Sequence, residues 1–260
     1  MLIFLVSFTL FGCSEDPTIG GTVKDIWNKP VEGVSIMMEG VSEEQVSNSS
    51  GSFSFIIPQG KEGTLRFRAT HNKYLYDVEM VSYSKDADLE ETPSVDFSLY
   101  PKPDEKGFFG IGSQKYLPLS GKKTRRVATK LESYYGLADV GSTLIISRSP
   151  KFVFHTTLRK EEIKQIDLHL YQLNFKEKEV LKGVLGETAI EIDLWIPKEM
   201  PIDFSIKSLD QDEMFLLEFN QDLTEGLYAF STRDVLGEHT PGKETTLPKE
   251  LQVAYPFEIK

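Results

Sequence analysis

Short segments in which apolar and polar residues alternate recur along most of this 260-residue chain, and they constrain its fold more than any other feature. Residues 65–69 are apolar at every second position, and residues 190–196 repeat the pattern. A period of two residues is that of a β-strand with one buried face. With 40% hydrophobic residues, the chain can also bury a sizeable core. The sequence therefore predicts an all-β protein with two β-sandwich domains in tandem.

The alternation predicts seven strands in the first part of the chain and eight in the second. The first seven span residues 20–25, 34–39, 45–47, 52–57, 64–71, 75–83 and 95–100. The other eight span residues 143–147, 152–156, 165–174, 189–196, 202–208, 214–219, 227–231 and 251–259. Residues 124–138 fit either a short helix or a pair of strands, and we favour the pair.

A polar segment with two prolines, residues 101–107, separates the two sets of strands. It has no large apolar side chain to bury, which is typical of a linker. We therefore place the domains at residues 18–101 and 108–260, with the linker at 102–107. The glycines of residues 107–112 lack the Gly-Lys-Ser/Thr of a phosphate-binding loop, so we expect a loop that leads into the second domain.

Three segments of the first domain share the spacing of a known module. They are residues 21–25 (GTVKD), 29–36 (KPVEGVSI) and 49–55 (SSGSFSF). They resemble the carboxypeptidase regulatory-like domain, a transthyretin-like β-sandwich. We expect Gly51 to supply the positive φ of a tight turn, with the next phenylalanines pointing inward. The resemblance implies an accessory module with a carbohydrate-binding-like or protein-contact role rather than catalysis.

The second domain has one recognisable motif, at residues 222–230 (DLTEGLYAF). It resembles the tyrosine corner of immunoglobulin-like sandwiches, in which a tyrosine hydroxyl bonds to the backbone a few residues upstream. Tyr228 is the expected tyrosine. With residues 149–154 (SPKFVF), the region resembles an immunoglobulin-like β-module of bacterial envelope proteins.

The chain begins with an apolar stretch, residues 2–11 (LIFLVSFTLF), about half as long as a bilayer-spanning helix needs. The stretch ends at Gly12 and Cys13, the only cysteine, and polar residues follow. The arrangement resembles a bacterial lipoprotein signal. It implies a signal peptide at residues 1–12, a lipid such as palmitate on Cys13, and a tether at 13–17. The membrane is then the first expected partner, at the bacterial outer membrane or cell surface.

Candidate catalytic and metal-binding groups are scarce in the sequence. None of the histidines has a carboxylate at the spacing that a zinc carboxypeptidase needs. They are His71, His155, His169 and His239. Residues 210–213 (DQDE) lack the glycine and the distant glutamate of an EF-hand loop, so a solvated turn is the better interpretation. We expect no catalytic residue, no metal and no cofactor.

Two groups of residues are candidate contact sites. A glycan could stack on four aromatic residues if these share one face, namely Trp27, Tyr74, Tyr76 and Tyr83. The run from Lys115 to Lys130 has six basic residues and no acidic one. Its central residues, Lys122, Lys123, Arg125 and Arg126, form a possible patch for anionic envelope material or an acidic partner. The alternative is a basic hairpin that docks on the acidic first domain.

The net charge of −11 argues against a dedicated nucleic-acid binder, because an anionic protein gains nothing from releasing phosphate counterions. The sequence predicts a lipid-anchored cell-envelope protein with a non-catalytic binding or scaffolding role, whose partner is an envelope protein or a glycan. A carbohydrate-binding surface lipoprotein is the first alternative. A hydrolase with an unrecognised site is the second.

Overall fold

A computed structural model describes residues 17–84, 93–129, 132–183, 186–198, 200–209, 212–237 and 246–260. Two compact units divide between Lys102 and Pro103, inside the segment predicted as a linker. Strands make up most of both units, so the predicted all-β class is confirmed. Within the described ranges, no helix is long and apolar enough to cross a membrane. Cys13 and the rest of the predicted signal lie outside these ranges.

Each of the seven strands predicted for the first unit is present. They are β1 (Thr18–Asp25), β2 (Ser35–Met38), β3 (Glu44–Val46), β4 (Ser52–Ile56), β5 (Gly63–Thr70), β6 (Asp77–Tyr83) and β7 (Val95–Leu99). One sheet has the order β4-β1-β7, in which β1 is antiparallel to β4 and parallel to β7. The other sheet has the order β3-β2-β5-β6 and is antiparallel throughout.

The two sheets of the first unit pack around phenylalanine rings. Phe53 and Phe55 of β4 meet rings from β7 and from the other sheet. The Phe55 and Phe67 ring centroids lie 5.7 Å apart, and those of Phe53 and Phe97 lie 5.9 Å apart. Burying one such side chain stabilises the fold by about 1.5–3 kcal/mol relative to leaving it exposed. The first unit therefore has a core of its own.

The turn before β4 requires glycine at position 51. Gly51 has a φ of 77°, which side chains with a Cβ rarely adopt. A Cβ there would also lie 2.4 Å from the carbonyl oxygen of Val23. The predicted positive φ is confirmed, and the side chains of Phe53 and Phe55 are buried as expected.

The second unit is also built from two main sheets. Its strands are β8 (Gly107–Ile111), β9 (Tyr116–Pro118), β10 (Arg125–Ala128), β11 (Ser133–Gly136), β12 (Leu144–Ile146), β13 (Phe152–Arg159), β14 (Leu168–Gly183), β15 (Gly186–Pro197), β16 (Ser205–Ser208), β17 (Asp212–Glu218), β18 (Gly226–Thr232) and β19 (Tyr255–Ile259). The short helices are α1 (Lys160–Ile163), α2 (Arg233–Leu236) and a 3-10 helix (Lys249–Leu251). The sheet orders are β12-β19-β18-β14-β15 and β16-β17-β13-β8-β9, and β10 pairs with β11.

The core of the second unit lies between its two five-stranded sheets. Phe108 of β8 stacks on Phe154 of β13, with ring centroids 4.2 Å apart. From the opposite sheet, Phe230 stacks on Phe108 at 4.8 Å. The predicted tyrosine corner is confirmed, because the buried Tyr228 hydroxyl donates a hydrogen bond of 2.7 Å to the Thr224 carbonyl oxygen.

Some sequence predictions for the second unit are wrong in detail. Residues 107–111 form β8 rather than a loop, because Phe108 is buried and pairs with Phe154 across the sheet. The strands predicted at residues 165–174 and 251–259 begin later than expected. Residues 165–167 follow α1, and Leu251 ends the 3-10 helix. The pair of strands favoured for residues 124–138 is confirmed as the β10–β11 hairpin.

The strand predicted at residues 189–196 lies within β15 and is half-buried as expected, but it contains a bulge. Leu194 pairs with Lys176 and Glu191 with Lys178, so β15 has one residue more than β14 between these pairs. Asp193, in the bulge, has a φ of 47°. A bulge bends its strand and increases the local twist. The alternation alone predicted a regular strand here.

Candidate functional site

The four aromatic residues predicted to face a glycan lie in different environments. Tyr74 and Tyr83 are partly buried and pack against the core of the first unit. Tyr76 stacks with Arg68, whose guanidinium carbon lies 4.6 Å from the ring centroid. Tyr76 lies just before β6 and Tyr83 at its end, about 23 Å apart for seven residues of extended chain. Trp27 lies in the turn after β1, where Asp25 accepts a hydrogen bond from its backbone N–H.

The four predicted basic residues lie on and just before β10. Arg125 and Arg126 are exposed, and consecutive residues of a strand point to opposite faces. Arg126 donates to the Ser133 hydroxyl at 2.9 Å, and its guanidinium lies 5.8 Å from the Tyr135 ring centroid. Lys122 is half-buried, whereas Lys123 is exposed. The side chains of the four cations therefore do not all face one surface.

The β10–β11 hairpin lies across the outer face of the sheet that contains β14 and β15. Just after β11, the backbones of Leu137 and Trp195 exchange hydrogen bonds of 2.9 Å. Just before β10, Lys122 pairs in the same way with Ala254 beside β19. Beneath the hairpin is a second apolar cluster, which includes Leu137, Tyr171 and Leu236. This part of the sheet is thus covered rather than exposed.

A cleft with a volume of about 490 Å³ opens where β11, β14, the end of β15 and α2 meet. Small-molecule sites in proteins have volumes of about 300–1,000 Å³. The rings and cations that line the cleft are Tyr134, Tyr135, His169, Tyr171, Lys198 and Arg233. This cleft is the strongest candidate functional site in the part of the chain that the structure describes.

The alternation of β14 places two of these rings on one face. Leu168 and Leu170 enter the main core, so His169 and Tyr171 face the hairpin. The rings of His169 and Tyr171 lie 5.6 Å apart in an edge-to-face arrangement. Gly237 makes room for this arrangement, because a Cβ there would lie 2.7 Å from the Tyr171 hydroxyl.

Tyr134 is held at its hydroxyl end by a network of charged groups. Its hydroxyl donates to Glu132 at 2.6 Å, lies 3.0 Å from a Glu179 carboxylate oxygen and accepts from Lys176 at 3.1 Å. The hydrogen bond to Glu132 raises the pKa of Tyr134. Lys176 forms an ion pair with Glu179, and the hydrogen bond in that pair raises the pKa of the lysine. The Tyr134 ring is therefore fixed in position before any ligand binds.

A second cluster of titratable groups surrounds His155 on β13. Its Nδ1 donates to the Glu105 carbonyl at 2.7 Å, and its Nε2 accepts from the Lys106 ammonium at 2.9 Å. Burial lowers the pKa of His155, so the imidazole is neutral in this arrangement. Lys106 also pairs with Glu213 at 3.2 Å. Both ring nitrogens have partners, which indicates a structural role.

Glu250 lies beside this cluster and accepts hydrogen bonds from the Thr156 hydroxyl at 2.8 Å and the Thr157 N–H at 3.0 Å. Burial raises its pKa, but the hydrogen bonds outweigh burial and the net shift is downward. Among the residues with described positions, no three His, Cys, Asp or Glu side chains are placed to hold a metal ion. Of the acidic cluster at 210–213, only Asp212 and Glu213 are described, and they begin β17.

Sequence reasoning missed the cleft, although one signal was present. Its residues come from four distant segments, at 133–135, 169–171, 196–201 and 233–237. The alternation of β14 indicates that His169 and Tyr171 point away from the main core. It does not indicate that the hairpin and α2 close around them.

The fold and the cleft define an all-β protein of two sandwich units, the second of which carries an aromatic and cationic cleft. No family model matches the chain, and no curated protein matches it. The resemblance of the first unit to carboxypeptidase regulatory-like domains therefore stays a prediction from its three sequence motifs.

Two solved structures of BcpA, the major pilin subunit of Bacillus cereus, share a weak likeness with the chain. One, a variant of BcpA, has 9% sequence identity and a TM-score of 0.28. The other has 10% identity and a TM-score of 0.24. Both matches cover 94% of this chain and 67% of the pilin chain. A structural similarity this weak supports no conclusion about function.

Proposed function

We propose that the protein is a lipid-anchored component of the bacterial cell envelope with a non-catalytic binding or scaffolding role. The observation that carries the binding role is the cleft, whose lining combines aromatic rings and cations. The resemblance of residues 1–13 to a lipoprotein signal supports the anchor and a location at the outer membrane or cell surface. Two or three acyl chains, at about 0.8 kcal/mol per buried methylene, make such an anchor effectively permanent.

Carbohydrate binding is the second candidate function, and the tyrosine rings of the cleft favour it. A tyrosine offers a flat apolar face and a hydroxyl that forms hydrogen bonds. Three tyrosines in one cleft match the alternating apolar and polar surface of a sugar ring better than they match a purely apolar ligand.

The anchor is tested by Cys13→Ala in cells supplied with labelled palmitate. The unchanged chain should incorporate the label and remain in the membrane pellet after a carbonate wash, because Cys13 carries the acyl chains. The Cys13→Ala variant should incorporate no label. Ser7→Ala is the matched control, since it preserves both the apolar stretch and the cysteine. Equal labelling of the wild-type and Cys13→Ala chains would contradict the anchor.

The binding role is tested separately with purified envelope fragments. Immobilised full-length chain should retain the fragments, and the retained material should leave chemically unchanged. Failure to retain any fragment, with the chain folded, contradicts the binding role.

A further inference from the structure

We infer that the outer face of the β3-β2-β5-β6 sheet of the first unit binds the same face of a second copy of the chain. This face and the cleft lie in different units, so the inference goes beyond the proposed function and does not depend on it. Three features of the face carry it: its exposed apolar side chains, its two columns of opposite charge, and its area.

Large apolar side chains occupy outward positions on three of the four strands. Met37 of β2, Val46 of β3 and Met80 of β6 are 48%, 58% and 65% exposed. Met37 pairs with Arg68 and Met80 with Arg66, so both methionines share one face of the sheet with the two arginines of β5. The pairing of β3 with β2 places Val46 on the same face. A solvated sheet face normally carries polar side chains, whereas methionine and arginine are enriched in protein interfaces.

The charged side chains of this face form two columns of opposite sign. Arg66 and Arg68 lie on β5, whereas Glu39 follows β2 and Glu44 lies on β3. Arg66 pairs with Glu39 at 3.7 Å, and because both side chains are more than half exposed, this ion pair contributes little in water. The Arg68 guanidinium carbon lies 4.6 Å from the Tyr76 ring centroid. A cationic column and an acidic column therefore lie side by side.

Two such columns are complementary to themselves under a two-fold axis. With the strand order β3-β2-β5-β6, an axis parallel to the strands places β5 of one copy over β2 of the other, and β6 over β3. Arg66 of one copy then faces Glu39 of the other, because the Glu39 N–H bonds to the Arg66 carbonyl oxygen and the two residues share a row. Both copies use the same patch, as in most homodimers. A partner of uniform charge would be repelled by one column, so the columns favour a second copy over an acidic or a basic protein.

The area of the face sets the strength of this contact. The strand lengths, with strands 4.8 Å apart, give it roughly 350 Å² of flat area. Stable protein interfaces bury about 800 Å² on each partner. We therefore expect an equilibrium between monomer and dimer, with a Kd of about 0.1–1 mM, rather than a permanent dimer.

The experiment follows the methionine methyl groups of the full-length chain by NMR, from about 20 μM to about 1 mM. Detergent micelles are kept in excess, so that no two chains share one. The Met37 and Met80 methyl signals should shift as the concentration rises, because these side chains enter the interface. Met200, 77% exposed in the second unit, is the matched control, and Met38 and Met214 are buried controls. Constant signals at Met37 and Met80, or an equal shift at Met200, overturn the inference.

Two charge-reversed chains test the symmetry of the contact. Arg66→Glu with Arg68→Glu makes both columns acidic, and Glu39→Arg with Glu44→Arg makes both columns basic. Each variant alone should lose the concentration-dependent shift, because like charges then meet across the axis. An equimolar mixture of the two should regain the shift, because the acidic face of one meets the basic face of the other. A shift in either variant alone, or none in the mixture, overturns the inference.

Further variants separate the face from the rest of the chain. Met80→Thr should weaken association about fivefold, since threonine suits a strand but removes apolar contact, whereas Met200→Thr should not. Lys207→Glu with Arg148→Glu reverses two exposed charges of the second unit and should leave the Met37 shift unchanged. Unchanged melting temperatures show that the variants are folded. Losses in these controls equal to those in the face variants overturn the inference.

Retention of envelope fragments distinguishes this inference from the proposed function. If the chain stays monomeric but retains the fragments, the inference fails and the proposed binding role survives. If the chain associates through this face but retains no fragment, the inference holds and the binding role fails.

Discussion

At the scale of single residues, His155 gives the second unit a stability that depends on pH. Its Nε2 accepts a hydrogen bond from Lys106, so protonation would place two cations 2.9 Å apart. Burial lowers the pKa of His155 below its ordinary value of 6.5, and the nearby Glu213 and Glu250 carboxylates only partly oppose this effect. The unfolded chain therefore binds a proton at a higher pH than the folded chain does.

We expect the second unit to lose stability as the pH falls through 6.5, with a slope from this residue of up to about 1.4 kcal/mol per pH unit. Above that pH the imidazole is neutral in both states and contributes no pH dependence. His155→Gln should flatten the profile, because glutamine does not titrate. The measurement is urea unfolding followed by Trp195 fluorescence, with both chains in a Trp27→Phe background. Parallel profiles for the two chains would show that His155 is not the titrating group.

Two glycines with similar backbone angles differ in what surrounds them. Gly51 and Gly40 have φ values of 77° and 74°. A Cβ on Gly51 would meet the Val23 backbone oxygen at 2.4 Å, whereas a Cβ on Gly40 would meet only the flexible end of Lys61 at 2.9 Å. Both valine variants carry the backbone strain, but only Gly51→Val also forces two backbone segments apart.

We expect Gly51→Val to destabilise the first unit more than Gly40→Val, by about 1 kcal/mol or more, since a backbone clash adds to the shared φ strain. Urea unfolding of both variants, followed by Trp27 fluorescence, measures the difference. Equal unfolding midpoints would mean that the turn at Gly51 tolerates valine as well as the exposed turn at Gly40 does.

At the scale of elements, alternation predicted strands well wherever one face of the strand is buried. It failed at β8, where glycines flank two phenylalanines and resemble a loop, although Phe108 is part of the core. It also failed at the β15 bulge, because an inserted residue shows only in the pairing with β14. The cleft depends on the hairpin crossing a sheet, and no local pattern encodes such a crossing.

The four basic residues on and just before β10 remain a predicted patch for an anionic partner, although Arg125 and Arg126 lie on opposite faces of the strand. Replacing Lys122, Lys123, Arg125 and Arg126 with serine should weaken retention of envelope fragments at low salt and leave the melting temperature nearly unchanged. Exposed charges are largely screened beyond a Debye length of about 8 Å at physiological ionic strength, so the effect should shrink as salt is added. If the variant retains the fragments as well as the wild type does at low and at high salt, these four cations do not contribute to binding.

At the scale of the whole molecule, each unit has its own core and its own two sheets. The acidic residues outnumber the basic ones by 40 to 29, yet the cleft is lined by cations. A local positive site on an anionic protein selects its ligand by short-range contacts, because the overall field repels anions at long range. We therefore propose that binding depends on contacts in the cleft rather than on net charge.

The most direct test of this account is retention of purified envelope fragments by three immobilised full-length chains. The chains are the wild type, a Lys198→Gln and Arg233→Gln double variant, and a Lys207→Gln and Arg148→Gln double variant that removes the same charge elsewhere. If the cleft is the binding site, the wild type and the second double variant should retain the fragments equally, and the cleft variant should retain about tenfold less or none. Equal retention by both double variants, with equal melting temperatures, would contradict the assignment of binding to the cleft.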